Sequence, residues 1–176
     1  MQSLFRRVLV PYDFSPHATR ALGVALELAR RERGRVTVLH VVPVLSRVVG
    51  VPPGIFPPAI LSAALPEAQR RRLAACVARA LRGRKAPRVV CRVVVAEPLA
   101  AILDAAAGAT AIVMGTLGLT GVPHVVIGSV AEKVVRHAPV PVLTIRAGAR
   151  RGVRALRARA GSRTRPPRGD RRRSPA

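Results

Sequence analysis

Four glycines, Gly115, Gly118, Gly121 and Gly128, cluster ahead of Ser129 with the spacing Gly115-x2-Gly118-x9-Gly128-Ser129. Glycines placed after a strand let the backbone approach a ligand closely and turn N–H groups toward it. A helix opening at Gly128-Ser129 would add unpaired N–H groups and the positive end of its dipole, which favour an anion. The chemistry implied is phosphate binding. The segment is not a Walker A loop, because no Gly-Lys-Ser/Thr follows. It is not a GxGxxG fingerprint either, because Leu117 stands where the second glycine is required. Ser129-Val130-Ala131-Glu132 also reads as a capping box, with Ser at the N-cap and Glu at N3. A hydroxyl can cap and still meet a phosphate, so both readings stand.

Asp13, in Pro11-Tyr12-Asp13, is the second residue of interest. It could accept hydrogen bonds from ribose hydroxyls, or it could serve as a turn or cap residue. His17, His40, His124 and His137 show no metal-ligand spacing. No Ser/His/Asp or Cys/His set suggests a nucleophile. His137 falls where it would interact with a helix dipole. Arg70, Arg71 and Arg72 read as an anion patch or, by default, as a solvated helix face.

These residues need a scaffold, and strand and helix signals alternate through the first 146 residues. Val8 to Val10 is a short apolar strand ending at Pro11. Ser15-Pro16 places Ser at an N-cap and Pro at N1. Ala21, Leu22, Ala25, Leu26 and Ala29 then recur at helical spacing up to Gly34. Val36 to Val42 is a second strand and Pro43 to Pro66 a long Pro-rich loop. Glu67 to Arg82 is a helix, Val89 to Val95 a strand, Pro98 to Ala107 a short helix that Glu97 opens, and Ala111 to Met114 a strand. Ser129 to His137 is the last helix and Val140 to Ile145 the last strand. This β-α alternation predicts a mostly parallel sheet with helices on both faces. The continuously apolar strands fit a sheet covered on both sides. With the strand order 3-2-1-4-5, the ends of strands one and four are neighbours, and Asp13 faces the glycine loop where ligands bind such sheets.

Composition bounds the rest. The chain has 176 residues, 49% of them hydrophobic, with 16 Pro and 14 Gly. That suits one α/β domain and argues against a coiled coil. Its net charge is +23, and 29 of its 31 basic residues are Arg. A GC-rich genome accounts for Arg in place of Lys, but not for the excess of positive charge. Residues 147–176 hold 11 arginines and one acid, Asp170. With few large apolar residues, that segment reads as a disordered tail beyond a 1–146 domain. Cys76 and Cys91 form no disulfide framework and fit a reducing compartment, and Cys91 reads as a small core residue. No signal peptide or membrane span is legible, so a cytoplasmic protein is expected.

The strand ending Val-Pro-Tyr-Asp-Phe-Ser resembles the universal stress protein family. So do Leu39-His40-Val41-Val42, Met-Gly-Thr-x-Gly, and the run from Ile127-Gly128-Ser129 through Val140-Pro141-Val142-Leu143. The glycine spacing is similar to that of the ATP-binding branch, and the likeness covers about residues 4–146. The resemblance implies an α/β nucleotide-binding fold: an open, doubly wound, five-stranded parallel sheet in the order 3-2-1-4-5. It also implies a homodimer that pairs through Val140 to Ile145. Residues matching Pro11, Asp13 and Val41 lie around adenine and ribose in the family. Those matching Met114, Gly115, Gly118, Gly128, Ser129 and Val130 lie around ribose and phosphates. ATP, with Mg accompanying it, is the expected ligand. The chain departs from the family at Leu117, where many members carry His, and at Leu119, where many carry Arg or Lys.

The expected function is therefore an adenine-nucleotide-binding regulatory protein of the stress response, with at most slow ATP hydrolysis. Two alternatives stay open. One is a dimeric interaction protein of the same fold without nucleotide, motivated by Leu117 and Leu119. The other is a tether to nucleic acid or acidic surfaces through the arginine-rich tail.

Overall fold

A computed structural model of the chain describes residues 3–43, 58–83, 87–116 and 128–146, with side chains of the second helix described from residue 67. The elements are β1 (Arg7–Pro11), α1 (Pro16–Arg31), β2 (Arg35–Val42), α2 (Pro58–Leu81), β3 (Arg88–Val95), α3 (Pro98–Ala106), β4 (Ala111–Gly115), α4 (Ser129–His137) and β5 (Val142–Ile145). The strands form one parallel five-stranded sheet in the order β3-β2-β1-β4-β5. The chain runs outward from β1 to β3, then returns to place β4 on the other side of β1. The switch point of the sheet thus falls between β1 and β4.

Two apolar layers cover the sheet. On one face Val8, Val10, Val36 and Val38 pack with Ala21, Leu22, Ala25 and Ala29 of α1 and Leu73 and Val77 of α2. On the other, Leu9, Leu39, Ile112 and Met114 pack with Ile102 and Ala106 of α3 and Ala131 and Val134 of α4. Alternate residues of β1 enter opposite layers, as the two-residue period of a strand requires. Val8, Leu9 and Val10 are all at most 1% exposed, so this central strand is apolar without alternation. Cys91, on edge strand β3, is half-buried against the first layer, and burial pushes its thiol pKa up.

Local chemistry sets the helix starts. Ser15 Oγ accepts the Ala18 amide at 3.0 Å and Pro16 occupies the first turn of α1. Glu97 is the N-cap of α3, its Oε2 accepting the Ala100 amide at 2.7 Å.

Three expectations change. The segment expected as loop from Pro43 to Pro66 is helical from Pro58, and residues 44–57 lie outside the described residues. Pro66 reads as a breaker because it lacks an N–H. The Ala- and Leu-rich stretch before it has the propensity to carry the helix through, and Pro58 suits a helix start. The last strand begins at Val142 rather than Val140: Pro139 and Pro141 bring no N–H, and the ladder opens with the Ile112 amide on the Pro141 carbonyl at 2.9 Å. The third concerns Ser129. The N-cap of α4 is Gly128, at φ −71° and ψ 154°, so Ser129 is the first helical residue and the expected capping box does not form. Among the described residues no helix is long and apolar enough to cross a membrane.

Candidate functional site at the switch point

The C-terminal ends of β1, β2 and β4 and the N-terminus of α4 surround a cavity of about 470 Å³. Pro11, Asp13, Val41, Met114, Gly115, Gly128, Ser129 and Val130 all line it. Gly118 falls in 117–127, outside the described residues, as do Leu117 and Leu119. Residues from four separate elements therefore meet at one crevice, as the switch point of the sheet requires.

Thr116 and Gly128, the described residues on either side of 117–127, are tied together and to β5. The Gly128 amide donates to the Thr116 carbonyl at 2.7 Å, and the Thr116 amide donates to the Ile145 carbonyl at 3.2 Å. Thr116 is buried. The first α4 bond runs from the Glu132 amide to the Gly128 carbonyl at 2.9 Å. The amides of Ser129, Val130 and Ala131 precede it and have no partner within the helix. All three residues line the cavity, so the helix end offers donors and positive dipole to an anion there.

Asp13 fulfils its turn role. Its Oδ1 accepts the Ser15 amide at 3.0 Å, an Asx-type turn that leads into α1. The same residue lines the cavity, and its Oδ2 is not engaged in that turn. Between them Phe14 adopts φ 65°, a left-handed conformation rare for an aromatic residue.

An aromatic wall closes this side. Phe14 stands edge-on to Tyr12, with centroids 5.4 Å apart, and to the His40 ring at 4.5 Å. His40 Nδ1 donates to the Tyr12 carbonyl at 2.8 Å, which fixes the tautomer of the neutral ring. Burial holds the His40 pKa below its ordinary value, and the nearby Arg72 charge pushes the same way. Thr19 Oγ1 donates its only proton to the Ser15 carbonyl, so it accepts from the Tyr12 hydroxyl at 2.9 Å. Burial raises the Tyr12 pKa.

The cavity lining also includes Phe14, His40 and Gln69, which had no binding role in the sequence reading, and Arg72, which was read only within a run that was either an anion patch or a solvated helix face. Arg72 Cζ lies 4.0 Å from the centre of the Phe14 ring, a cation–π contact. Its neighbours Arg70 and Arg71 instead form loose ion pairs with Glu67, each 3.8 Å long, on an exposed face. The default reading of the Arg70–Arg72 run holds for two of the three. Helical phase was the available signal: Gln69 and Arg72 precede the inward-facing Leu73 and Cys76 by four residues each. Gln69 Oε1 is buried with no partner among the described residues.

The model of the universal stress protein family matches residues 4–146. The chain belongs to this family. A universal stress protein of Thermus aquaticus is 38% identical over 145 residues, spanning 81% of this chain and 100% of the relative. A family structure from Burkholderia pseudomallei is 36% identical, covers 82% of this chain and 98% of its own, and superposes with a TM-score of 0.58. The universal stress protein of Archaeoglobus fulgidus solved in complex with dAMP is 26% identical, covers 81% and 98% respectively, and has a TM-score of 0.53.

Proposed function

We propose that this universal stress protein binds an adenine nucleotide, ATP first among them, in the switch-point cavity, and that binding serves regulation in a stress response. The observation that carries the reading is the convergence of eight family-motif residues from β1, β2, β4 and α4 on one cavity of about 470 Å³. That volume lies within the range of about 300–1,000 Å³ usual for small-molecule pockets. A dAMP complex within the family makes an adenine nucleotide the natural occupant.

The residues fit such a ligand. Val41 and Pro11 offer apolar surface to a base, and Asp13 offers a carboxylate oxygen to ribose hydroxyls. Met114 and Gly115 form the floor beneath the sugar. The amides of Ser129 and Val130 meet the phosphates at the start of α4, and the family resemblance assigns Gly118 to the same phosphates. The Ser129 hydroxyl, displaced from the capping position, is available to the same phosphates. Mg²⁺, when present, would shield phosphate charge and take its ligands mainly from phosphate and water, as that ion commonly does. Asp13 is the only carboxylate lining the cavity among the described residues, and one of its oxygens holds a turn. A binding role rather than rapid turnover follows.

Leu117 and Leu119 motivate the reading without nucleotide. Arg72 counts against it, because α2 brings to the cavity a cation that the glycine loop lacks. The proposal includes a homodimer formed through the open edge of β5, where Leu143 is 37% exposed, since pairing there covers unsatisfied backbone groups. It also includes a two-part chain, with 1–146 binding nucleotide and the arginine-rich 147–176 appended. The cysteine usage keeps the proposed setting cytoplasmic. The test is mass spectrometry of small molecules released by heat from purified protein, paired with thermal unfolding on adding ATP–Mg. Released adenine nucleotide or a raised Tm supports the reading. Neither, in folded protein, sinks it.

A further inference from the structure

At the opposite end of the sheet from the switch point lies a second concavity of about 570 Å³, lined by Ser3, Arg6, Arg7, Arg33, Gly34, Arg35, Arg88 and Thr110. Five of these eight residues are arginines and none is acidic. All five arginines are exposed, and none takes part in an ion pair among the described residues.

Three of them form a row. Arg7 of β1 is in register with Arg35 of β2, and Arg35 with Arg88 of β3. Neighbouring strands lie about 4.8 Å apart, so three guanidinium groups leave the same face of the sheet side by side. Like charges on facing strand positions destabilise a sheet. Arg6 and Arg33 add two more from the flanking turns, Arg33 with φ 49°. Glu32, next to Arg33 in the chain, accepts through Oε2 from the hydroxyl of Ser3, itself a lining residue, and from the Phe5 amide at 2.8 Å, so its carboxylate is already hydrogen-bonded at the rim of the hollow. Arg33 follows the last residue of α1 by two positions, where the helix dipole favours a cation.

The backbone beneath this row is firmly tied. The Arg35 amide bonds the Arg6 carbonyl at 2.8 Å, and the Arg7 amide bonds Thr110 Oγ1 at 3.0 Å. The Thr110 amide returns to the Arg7 carbonyl at 2.8 Å. At Gly34, a Cβ would sit 2.5 Å from the Phe5 carbonyl oxygen, so the turn between Arg33 and Arg35 is pressed against Phe5 and Arg6, which lead into β1. A general preference for arginine over lysine, 29 to 2, runs through the chain. It does not account for five arginines converging on one fixed hollow.

We propose that this hollow is an anion site, independent of the nucleotide cavity, which takes a compact run of linked phosphates. Guanidinium forks match phosphate oxygens in pairs, and a bound polyanion removes the repulsion within the row. A concavity that gathers its charges suits a compact oligophosphate better than an extended nucleic-acid backbone. Free oligophosphate and the 5′-triphosphate of a nucleotide share this chemistry.

The test is an NMR titration of the full-length protein with inorganic tripolyphosphate, followed at the Arg7, Arg35, Arg88 and Thr110 amides and the arginine Nε–Hε signals. Saturable shifts at these residues, ahead of those in 147–176, are expected. Arg35→Gln/Arg88→Gln should weaken them at least tenfold while leaving Tm without anion unchanged or higher. Cytidine triphosphate in a parallel titration distinguishes the sources: shifts at the groove admit a nucleotide, and their absence restricts the site to free oligophosphate. Three results would overturn the proposal. They are shifts confined to the tail arginines, unchanged affinity in the double variant, and groove shifts with a single-stranded oligonucleotide but not with tripolyphosphate. The wild-type shifts decide the matter even if the variant fails to fold.

Discussion

Gly115, at the end of β4, lies against His17 in the first turn of α1: a Cβ at Gly115 would stand 2.8 Å from His17 Cβ and 2.9 Å from its carbonyl carbon. Gly115 is therefore needed for space, whatever else it does for a ligand. Gly115→Ala should push α1 and β4 apart, lowering stability by about 1–3 kcal/mol, the usual cost of overpacking. Nucleotide affinity should fall with it, because both elements form cavity walls. Urea unfolding measures the first effect, and an unchanged midpoint would show that the helix gives way freely.

Ser15 is buried, and its hydroxyl caps α1 through the Ala18 amide. Ser15→Ala should cost about 1 kcal/mol, the typical value for a lost N-cap. Ser15→Asp restores an acceptor but buries a carboxylate, so it should recover less stability than Ser15→Thr. The order of the three midpoints in chemical denaturation checks this.

His40 links the cavity wall to pH. Its folded-state pKa is lowered, chiefly by burial, so the unfolded chain takes up the proton first on acidification. The contribution of the neutral ring is fully present above its ordinary value of about 6.5 and is lost as pH falls below it. Stability measured from pH 8 to pH 5 should decline more steeply in the wild type than in His40→Asn, which keeps a donor for the Tyr12 carbonyl. Parallel curves would remove His40 from this role.

Ser129 stands at the first helical position of α4, where no side-chain cap forms. Ser129→Glu places a carboxylate at the positive end of the helix dipole and should hold or raise stability by about 0.3–1 kcal/mol. The same carboxylate occupies the space and charge intended for a phosphate, so ATP binding should fall at least tenfold. Retained affinity would move the phosphates away from α4.

Much of the fold was legible because its signals are local. Ser15-Pro16 gave the start of α1, and the apolar runs at Val8–Val10 and Ala111–Met114 marked the covered strands. The strand order followed from the family resemblance and the rules for parallel connections. What was not legible depended on context. Ser129 and Gly128 are both acceptable N-caps, and only backbone geometry chooses between them. Pro66 is a breaker by itself but is carried within a long helix. Arg72 looks like Arg70 and Arg71 until the phase of α2 is set by Leu73 and Cys76. The arginines of the second hollow lie up to 82 positions apart in the chain, and only strand register assembles them.

Isothermal titration of nucleotide-free protein with ATP–Mg addresses the switch-point cavity itself. Saturable binding near one nucleotide per chain is expected, and it should be lost in Ser129→Glu. No saturable heat at millimolar ATP, in protein whose unfolding remains cooperative, would contradict nucleotide binding and leave the fold as a scaffold for another ligand.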